Sequence, residues 1–300
     1  MKRLFLFFAT NIAAVAMLSI AAFLVCSFFG VDLSAALGEG GYAPLLVFSF
    51  VMGMAGSLIS LFLSKTMVKA RMKCRVIDGT EGEAERWLVS TVEDLARRAN
   101  LKTPEVAIYP GAANAFATGA FKNSALVAVS TDIMGQMTRE ELRAVLGHEM
   151  THVANGDMVT MGLTQGVINT FVIFFAHIVA QIVQGALSGR DGRRNRGGYG
   201  LYHVIVMVMQ MALGFLSSMI LMWYSRRREF AADAGSARLL GSPAPMIAAL
   251  RRLGNLQPGV LPDSLKAFGI GGKMSSLFAS HPALEDRINA LMNMPPDTSF

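Results

Sequence analysis

Cysteine is nearly missing from this sequence. Cys26 sits in an apolar run and Cys74 in a basic one, and two such residues in a 300-residue chain cannot build a disulfide framework. That excludes a small secreted domain held by disulfides. Charge is also scarce, with 16% Asp, Glu, Lys and Arg against 53% hydrophobic residues and a mean hydropathy of +0.44. A single soluble globular domain does not ordinarily reach this balance, so part of the chain belongs in lipid. Acid is the scarcer sign, 21 residues against 27 basic ones, giving a net charge of +6 and a pI near 9.5. A basic surplus suits nucleic acid or an anionic membrane surface, and the hydropathy selects the membrane. No nucleic-acid partner is expected. A phosphate loop is missing as well: Lys273 follows Gly271 and Gly272, but no glycine precedes them at the required spacing, so no ATP site is expected. Internal repeats are absent, and the one biased tract is an Arg- and Gly-rich loop at 188–200. The 20 methionines are scattered and suit adaptable packing rather than ligation.

What is abundant is long apolar sequence. A hydrocarbon core about 30 Å thick needs roughly 20 apolar residues in a helix. Residues 4–29, 42–63, 158–187 and 201–224 all reach that length, which predicts four transmembrane helices in two hairpins. The first follows Lys2 and Arg3 like a signal peptide, but its apolar part is too long and a second span follows closely, so it reads as a retained anchor. Gly53, Gly56 and Ser57 in the second allow close helix contact. Gln165, Asn169, His177, Gln181, Gln184 and Gln210 are costly in hydrocarbon and are expected to face neighbouring helices. Lys2, Arg3, Lys65, Lys69, Arg71, Lys73, Arg75 and Arg226 to Arg228 fall on one side if all four helices cross, and that side should be cytoplasm. Asp32 and Glu39 then face the other compartment. Arg190, Arg193, Arg194 and Arg196 run against the rule, so either the other basic residues outweigh them or the second hairpin does not fully traverse.

The soluble remainder, 65–157 and 225–300, is economical only as one composite domain, since each half is marginal alone. Within it, 83–100 has helical apolar spacing through Trp87, Leu88, Val92 and Leu95, while 105–109 and 125–130 read as short strands. Thr138 followed by Glu141 is a capping-box signature, opening a helix that Asn155 and Gly156 end. That helix carries His148-Glu149-Met150-Thr151-His152. Residues four apart lie one turn above each other, so both imidazoles can reach one zinc ion, with Glu149 placed to take a proton from the water such an ion activates. Ala144, Val145, Leu146 and Val153 mark the helix as buried, against the bland alternative of two solvated histidines.

Catalytic zinc usually takes three protein ligands. The third can come from Glu229, Asp233, Asp157, Glu285 or His281. His152 lies just before the third span and Glu229 just after the fourth, so an antiparallel hairpin returns Glu229 to the side of His152 and makes it the best geometric choice. Asp233, one turn further on, can accept the other N–H of a ligand imidazole.

The sequence resembles the HtpX-type membrane-bound zinc metalloproteases, related to the CAAX prenyl peptidases, over almost its whole length. The resemblance rests on Asn114 to Gly119 (Asn-Ala-Phe-Ala-Thr-Gly), on His148 to Met158, on Glu229-Phe-Ala-Ala-Asp233, and on Ser280-His281-Pro282 followed by Arg287. It implies one zinc per chain on His148, His152 and Glu229, with Glu149 as general base and acid. It implies a zincin-like catalytic domain with a small β-sheet, so the expected fold is mainly α, α+β. The expected organisation is a hairpin at 1–64, the two parts of the catalytic domain at 65–157 and 225–300, and a second hairpin at 158–224. It also implies a multi-pass protein of the bacterial inner membrane, with the site facing the cytoplasm and misfolded or unassembled membrane proteins as substrates in stress-related quality control. Asn114, Ala115, Phe116 and Ala117 are expected to form an edge strand that pairs with substrate backbone. His281 and Arg287 can fold back over the cleft, where either could donate to the oxyanion, with Arg287 alternatively supporting the ligands beside Asp233. Two alternatives remain: a processing peptidase of the same chemistry, and a non-catalytic zinc-binding membrane scaffold. Against the scaffold, structural zinc sites generally close with four ligands, often cysteines, and no thiol lies near this motif.

Overall fold

The computed structural model describes residues 2–28, 42–187, 198–256 and 281–295. Asp32, Glu39, Arg190, Arg193, Arg194, Arg196, Gly271, Gly272, Lys273 and Ser280, all singled out above, lie outside the described residues. The chain is mainly helical with one small mixed sheet. Its order is α1 (Lys2–Phe28), α2 (Ala43–Arg71), β1 (Arg75–Ile77), α3 (Glu83–Arg98), β2 (Glu105–Tyr109), β3 (Ala115–Thr118), β4 (Leu126–Ser130), α4 (Thr131–Gln136), α5 (Arg139–Asn155), α6 (Asp157–Leu187), α7 (Gly198–Leu240), α8 (Ala244–Leu256) and α9 (Leu284–Met292). Two compact units result, one from Met1–Ile59 with Gly162–Leu221, the other from Ser60–Met161 with Met222–Phe300.

The first unit is helical. Among the described residues three helices are long and apolar enough to cross a membrane, over Ala43–Arg71, Asp157–Gly185 and Gly200–Leu240. The expected fourth, α1, is helical throughout, but its apolar stretch within those residues is the shorter Phe8–Ile20. Exposed Phe48, Phe50, Val51 and Met52 on α2 suit lipid rather than water. Small residues set the helix contact, as expected of Gly53 but not of Gly56, whose added Cβ would meet no atom within 4 Å among the described residues: a Cβ on Gly53 would lie 2.5 Å from the backbone nitrogen of Thr170, and one on Gly166 would lie 2.6 Å from Met54 Sδ. Polar groups find partners, Ser57 Oγ donating to the Gly162 carbonyl, Gln165 Nε2 to Asn169 Oδ1 at 2.7 Å, and His177 Nδ1 meeting Tyr202 Oη at 2.7 Å. Gln181 departs from expectation and is exposed.

The second unit carries the sheet, in the order β1-β2-β4-β3, with β2 and β4 parallel and the outer strands antiparallel. β4 is buried at every position because it is central, whereas β3 closes one edge. Leu88, Val92 and Leu95 of α3 pack with Val127 and Val129 of β4, Leu146 and Met150 of α5, and Met246 and Leu250 of α8 in one core. Helix α5 begins in the predicted capping box, Thr138 accepting from the Glu141 N–H while the Glu141 side chain accepts from the Thr138 N–H. It ends at Gly156, whose φ of +68° is the left-handed cap that glycine adopts at least cost. That cap lets Asp157 open α6 directly beside the last turn of α5. Strand β1 carries no readable sequence signal, since its three residues, two exposed and one buried, are too few to show an alternation.

Candidate active site

Two helical segments build the site, and small residues let them touch. A Cβ on Gly147 would lie 2.8 Å from Ser236 Oγ, and one on Gly235 would lie 2.2 Å from Thr151 Cγ2. Ser236 Oγ donates to the Ala144 carbonyl across the same contact at 2.7 Å. The face of α5 bearing His148 and His152 is thereby held against the stretch of α7 bearing Glu229 and Asp233.

The two imidazoles are oriented from behind by carboxylates. His148 Nδ1 meets Asp233 Oδ1 at 2.8 Å and His152 Nδ1 meets Asp157 Oδ2 at 2.6 Å. An acceptor on Nδ1 fixes the proton there and leaves the Nε2 lone pair free to ligate. Both Nε2 atoms point into one space: they are 3.1 Å apart, with Glu229 Oε1 3.4 Å from His152 Nε2 and Glu229 Oε2 3.6 Å from His148 Nε2. Zinc bonds of 2.0–2.2 Å at tetrahedral angles require ligand atoms about 3.3 Å apart. The donor set fits the ion in type and in spacing, and all three ligating atoms lie within 4.8 Å of one another. Among the described residues no other group of His, Cys, Asp and Glu does so. Electrostatics agree. Burial alone would lower His152, yet hydrogen bonds to Asp157 and Glu229 outweigh it and carry its pKa up to about 10, so a cation ligating Nε2 takes the place of a proton there.

Of the other candidate ligands, Asp233 and Asp157 serve the Nδ1 atoms, Glu285 is exposed at the start of α9, and His281 turns Nδ1 to Glu229 Oε2 at 2.7 Å. His281 is 64% exposed and so reaches the site from the solvent side. Arg287 is buried rather than lying on the surface. Its Nε and one terminal nitrogen donate to Asp233 at 2.7 and 2.6 Å, and the other terminal nitrogen lies 3.4 Å from Glu229. Burial penalises its charge, but the two carboxylates outweigh that and raise its pKa. The guanidinium is therefore committed to Asp233 with Glu229 at ion-pair distance, whereas His281 meets Glu229 through Nδ1.

Ala115 to Ala117 lie in β3 and Asn114 directly before it, and among the described residues β3 pairs only with β4. Tyr109 Oη donates to the Asn114 carbonyl at 3.2 Å, and the Asn114 N–H donates to Ser130 Oγ at 3.0 Å. Glu149 Oε2 accepts from the Ala117 N–H at 2.9 Å. Sequence reasoning missed Asp157 as the partner of His152 and the close approach at Gly147 and Gly235. The available signals were an acid directly after the terminating Asn-Gly and a glycine beside each metal-ligating stretch. Arg228 sits behind Asp157, its Nε 3.2 Å from Oδ1, at ion-pair distance though not aligned for a hydrogen bond.

The chain is similar to known proteins in sequence and in fold. Residues 83–294 match Peptidase family M48. A protein of Herminiimonas arsenicoxydans described as "Protease HtpX homolog" is 52% identical over 297 residues, covering 98% of this chain and all of that one. A protein of Verminephrobacter eiseniae with the same description is 51% identical over 298 residues, covering 99% of this chain and all of that one. The crystal structure of S. mikatae Ste24p shares the fold, with a TM-score of 0.60 and 18% identity over 97% of this chain, which spans 65% of the length of that protein.

Proposed function

The chain belongs to peptidase family M48, as a membrane metalloprotease of the HtpX type, and from that premise we propose that it is a zinc endopeptidase of the bacterial inner membrane that removes misfolded or unassembled membrane proteins. The observation that carries the reading is the convergence of His148, His152 and Glu229 on one point, with Glu149 on the same helix. Zinc, when bound there, supplies an electrophile that acidifies water and polarises a carbonyl.

The chain's own residues do the rest. Within Asn114 to Ala117, the outer edge of β3 is where an extended substrate segment pairs as an added strand, through the residues whose backbone groups turn away from β4. This holds a scissile peptide alongside α5 without selecting a sequence, which suits a clearing enzyme. Glu149 takes the proton of the attacking water and passes it to the leaving amine. His281, exposed and within reach of Glu229, donates to the oxygen on which charge develops. Asp233 and Asp157 keep both histidines in the ligating tautomer, while Arg287 balances the charge of Asp233 and Arg228 that of Asp157.

The reading assigns 1–64 and 158–224 to membrane hairpins and 65–157 with 225–300 to one catalytic domain on the cytoplasmic side. The basic residues Lys65, Lys69, Arg71, Lys73 and Arg226 to Arg228 support that orientation. Purified protein should cleave unfolded casein, lose that activity to a chelator and regain it with zinc. Cleavage that survives full zinc removal would refute the assignment.

A further inference from the structure

Strand β3 has one side occupied by β4 and, among the described residues, no strand on the other, and its register decides which groups face which way. The Asn114 carbonyl accepts from the Ser130 N–H at 2.9 Å, so residue 114 turns its backbone groups toward β4. Successive residues alternate, so Phe116 and Thr118, opposite Ala128 and Leu126, also face β4, while Ala115 and Ala117 turn their N–H and C=O groups to the free edge. An outward N–H on an edge strand ordinarily awaits water or an added strand. The Ala117 N–H instead donates to Glu149 Oε2 at 2.9 Å.

We propose that the Ala117 N–H is a positioning group for Glu149, fixing one carboxylate oxygen so that the other faces the attacking water, and that substrate pairing uses the Ala115 end of the edge. This rests on the reading of Glu149 as the proton acceptor. The physical case is one of rotamer control. A glutamate has three rotatable bonds, and a surface carboxylate samples many orientations. A charge-assisted hydrogen bond from a backbone group in a buried sheet removes most of that freedom before substrate arrives. It also ties the base to the strand that presents substrate, so one rigid element sets the distance between peptide and base. The Ala117 N–H cannot pair with a substrate carbonyl at the same time, which divides the edge into a pairing part and an orienting part.

Two measurements on the full chain in detergent test this. In hydrogen exchange resolved to single amides, the Ala117 amide should be protected in the wild type and in Glu149→Gln, whose amide oxygen still accepts. It should exchange at least about tenfold faster in Glu149→Ala, as an open edge amide does. All comparisons are made with and without zinc. Unchanged protection in Glu149→Ala would overturn the proposal. In kinetics, Ala117→Pro deletes the donor at an outward edge position, where proline is tolerated. With zinc content unchanged, kcat should fall roughly ten- to hundredfold, as for a misplaced catalytic group, and KM should stay within about twofold. A raised KM with kcat preserved would mean that Ala117 pairs with substrate, and would overturn the proposal. Should Ala117→Pro fail to fold, the exchange comparison decides alone. Should Glu149→Gln remain active while the exchange pattern is as expected, the contact stands and the base assignment falls.

Discussion

Each carboxylate at the site has a different task, and the tasks separate by which atom each one touches. Glu229 faces both Nε2 atoms, so Glu229→Ala should abolish stoichiometric zinc binding while the helices persist, as read by metal analysis and circular dichroism. Two imidazoles without a carboxylate hold the ion far more weakly. Retained zinc and activity would move the third ligand elsewhere. Asp157 acts one atom further back, through His152 Nδ1. Asp157→Asn keeps an oxygen that accepts from the imidazole but loses the charge, so zinc affinity should weaken by about 10- to 100-fold, the usual effect of losing a group that orients a ligand. Competition with a calibrated chelator measures it. An unchanged affinity would leave Asp157 with only its ion pair to Arg228.

Among the elements, the packing of α5 on α7 sets the ligand geometry, and it depends on having no side chain at Gly235. Gly235→Val would drive a Cβ into Thr151, 2.2 Å from its Cγ2, on the residue next to His152. Thermal unfolding should show a loss of about 1–3 kcal/mol, the usual cost of overpacking, and zinc should bind more weakly. A second tie joins α2 to the sheet, where Lys65 and Lys69 both pair with Glu105. Their hydrogen bonds hold the Glu105 carboxyl below its ordinary range despite some burial. A depressed carboxyl contributes stability that is present above the unfolded pKa, near 4.5, and is lost as pH falls through the lower folded value. Glu105→Gln should therefore lower the melting temperature at neutral pH and flatten its decline in acid. Equal acid sensitivity in both proteins would assign no role to the pair.

These elements also show what was readable in advance. Strand β2 and helix α5 carried local signals, a short apolar stretch with Val106, Ile108 and Tyr109 and a capping box, and both appear where those signals put them. Glu229 was reachable from chain geometry alone, because a hairpin returns it to His152. The Gly235 contact and the Asp157 bond were not, since both depend on which faces of two helices meet, and no spacing within one helix encodes that. Arg287 could pass for a surface residue because its partners are 54 and 58 positions away.

On the scale of the whole molecule, apolar helices and a proteolytic centre share one chain, and the proposed topology puts that centre in the cytoplasm. A cysteine placed at Lys73, in a chain without Cys26 and Cys74, should resist an impermeant thiol reagent added outside intact cells and react after lysis. Labelling of intact cells at that position would invert the topology. The central claim, that Glu149 drives peptide hydrolysis at the His148, His152 and Glu229 site, is tested most directly by measuring zinc content and casein cleavage together in wild type and Glu149→Gln. The amide keeps the shape but cannot accept the water's proton. Full zinc with cleavage reduced by about 10²- to 10⁴-fold is predicted, the usual value of general base catalysis. Full zinc with a third or more of wild-type cleavage would contradict it.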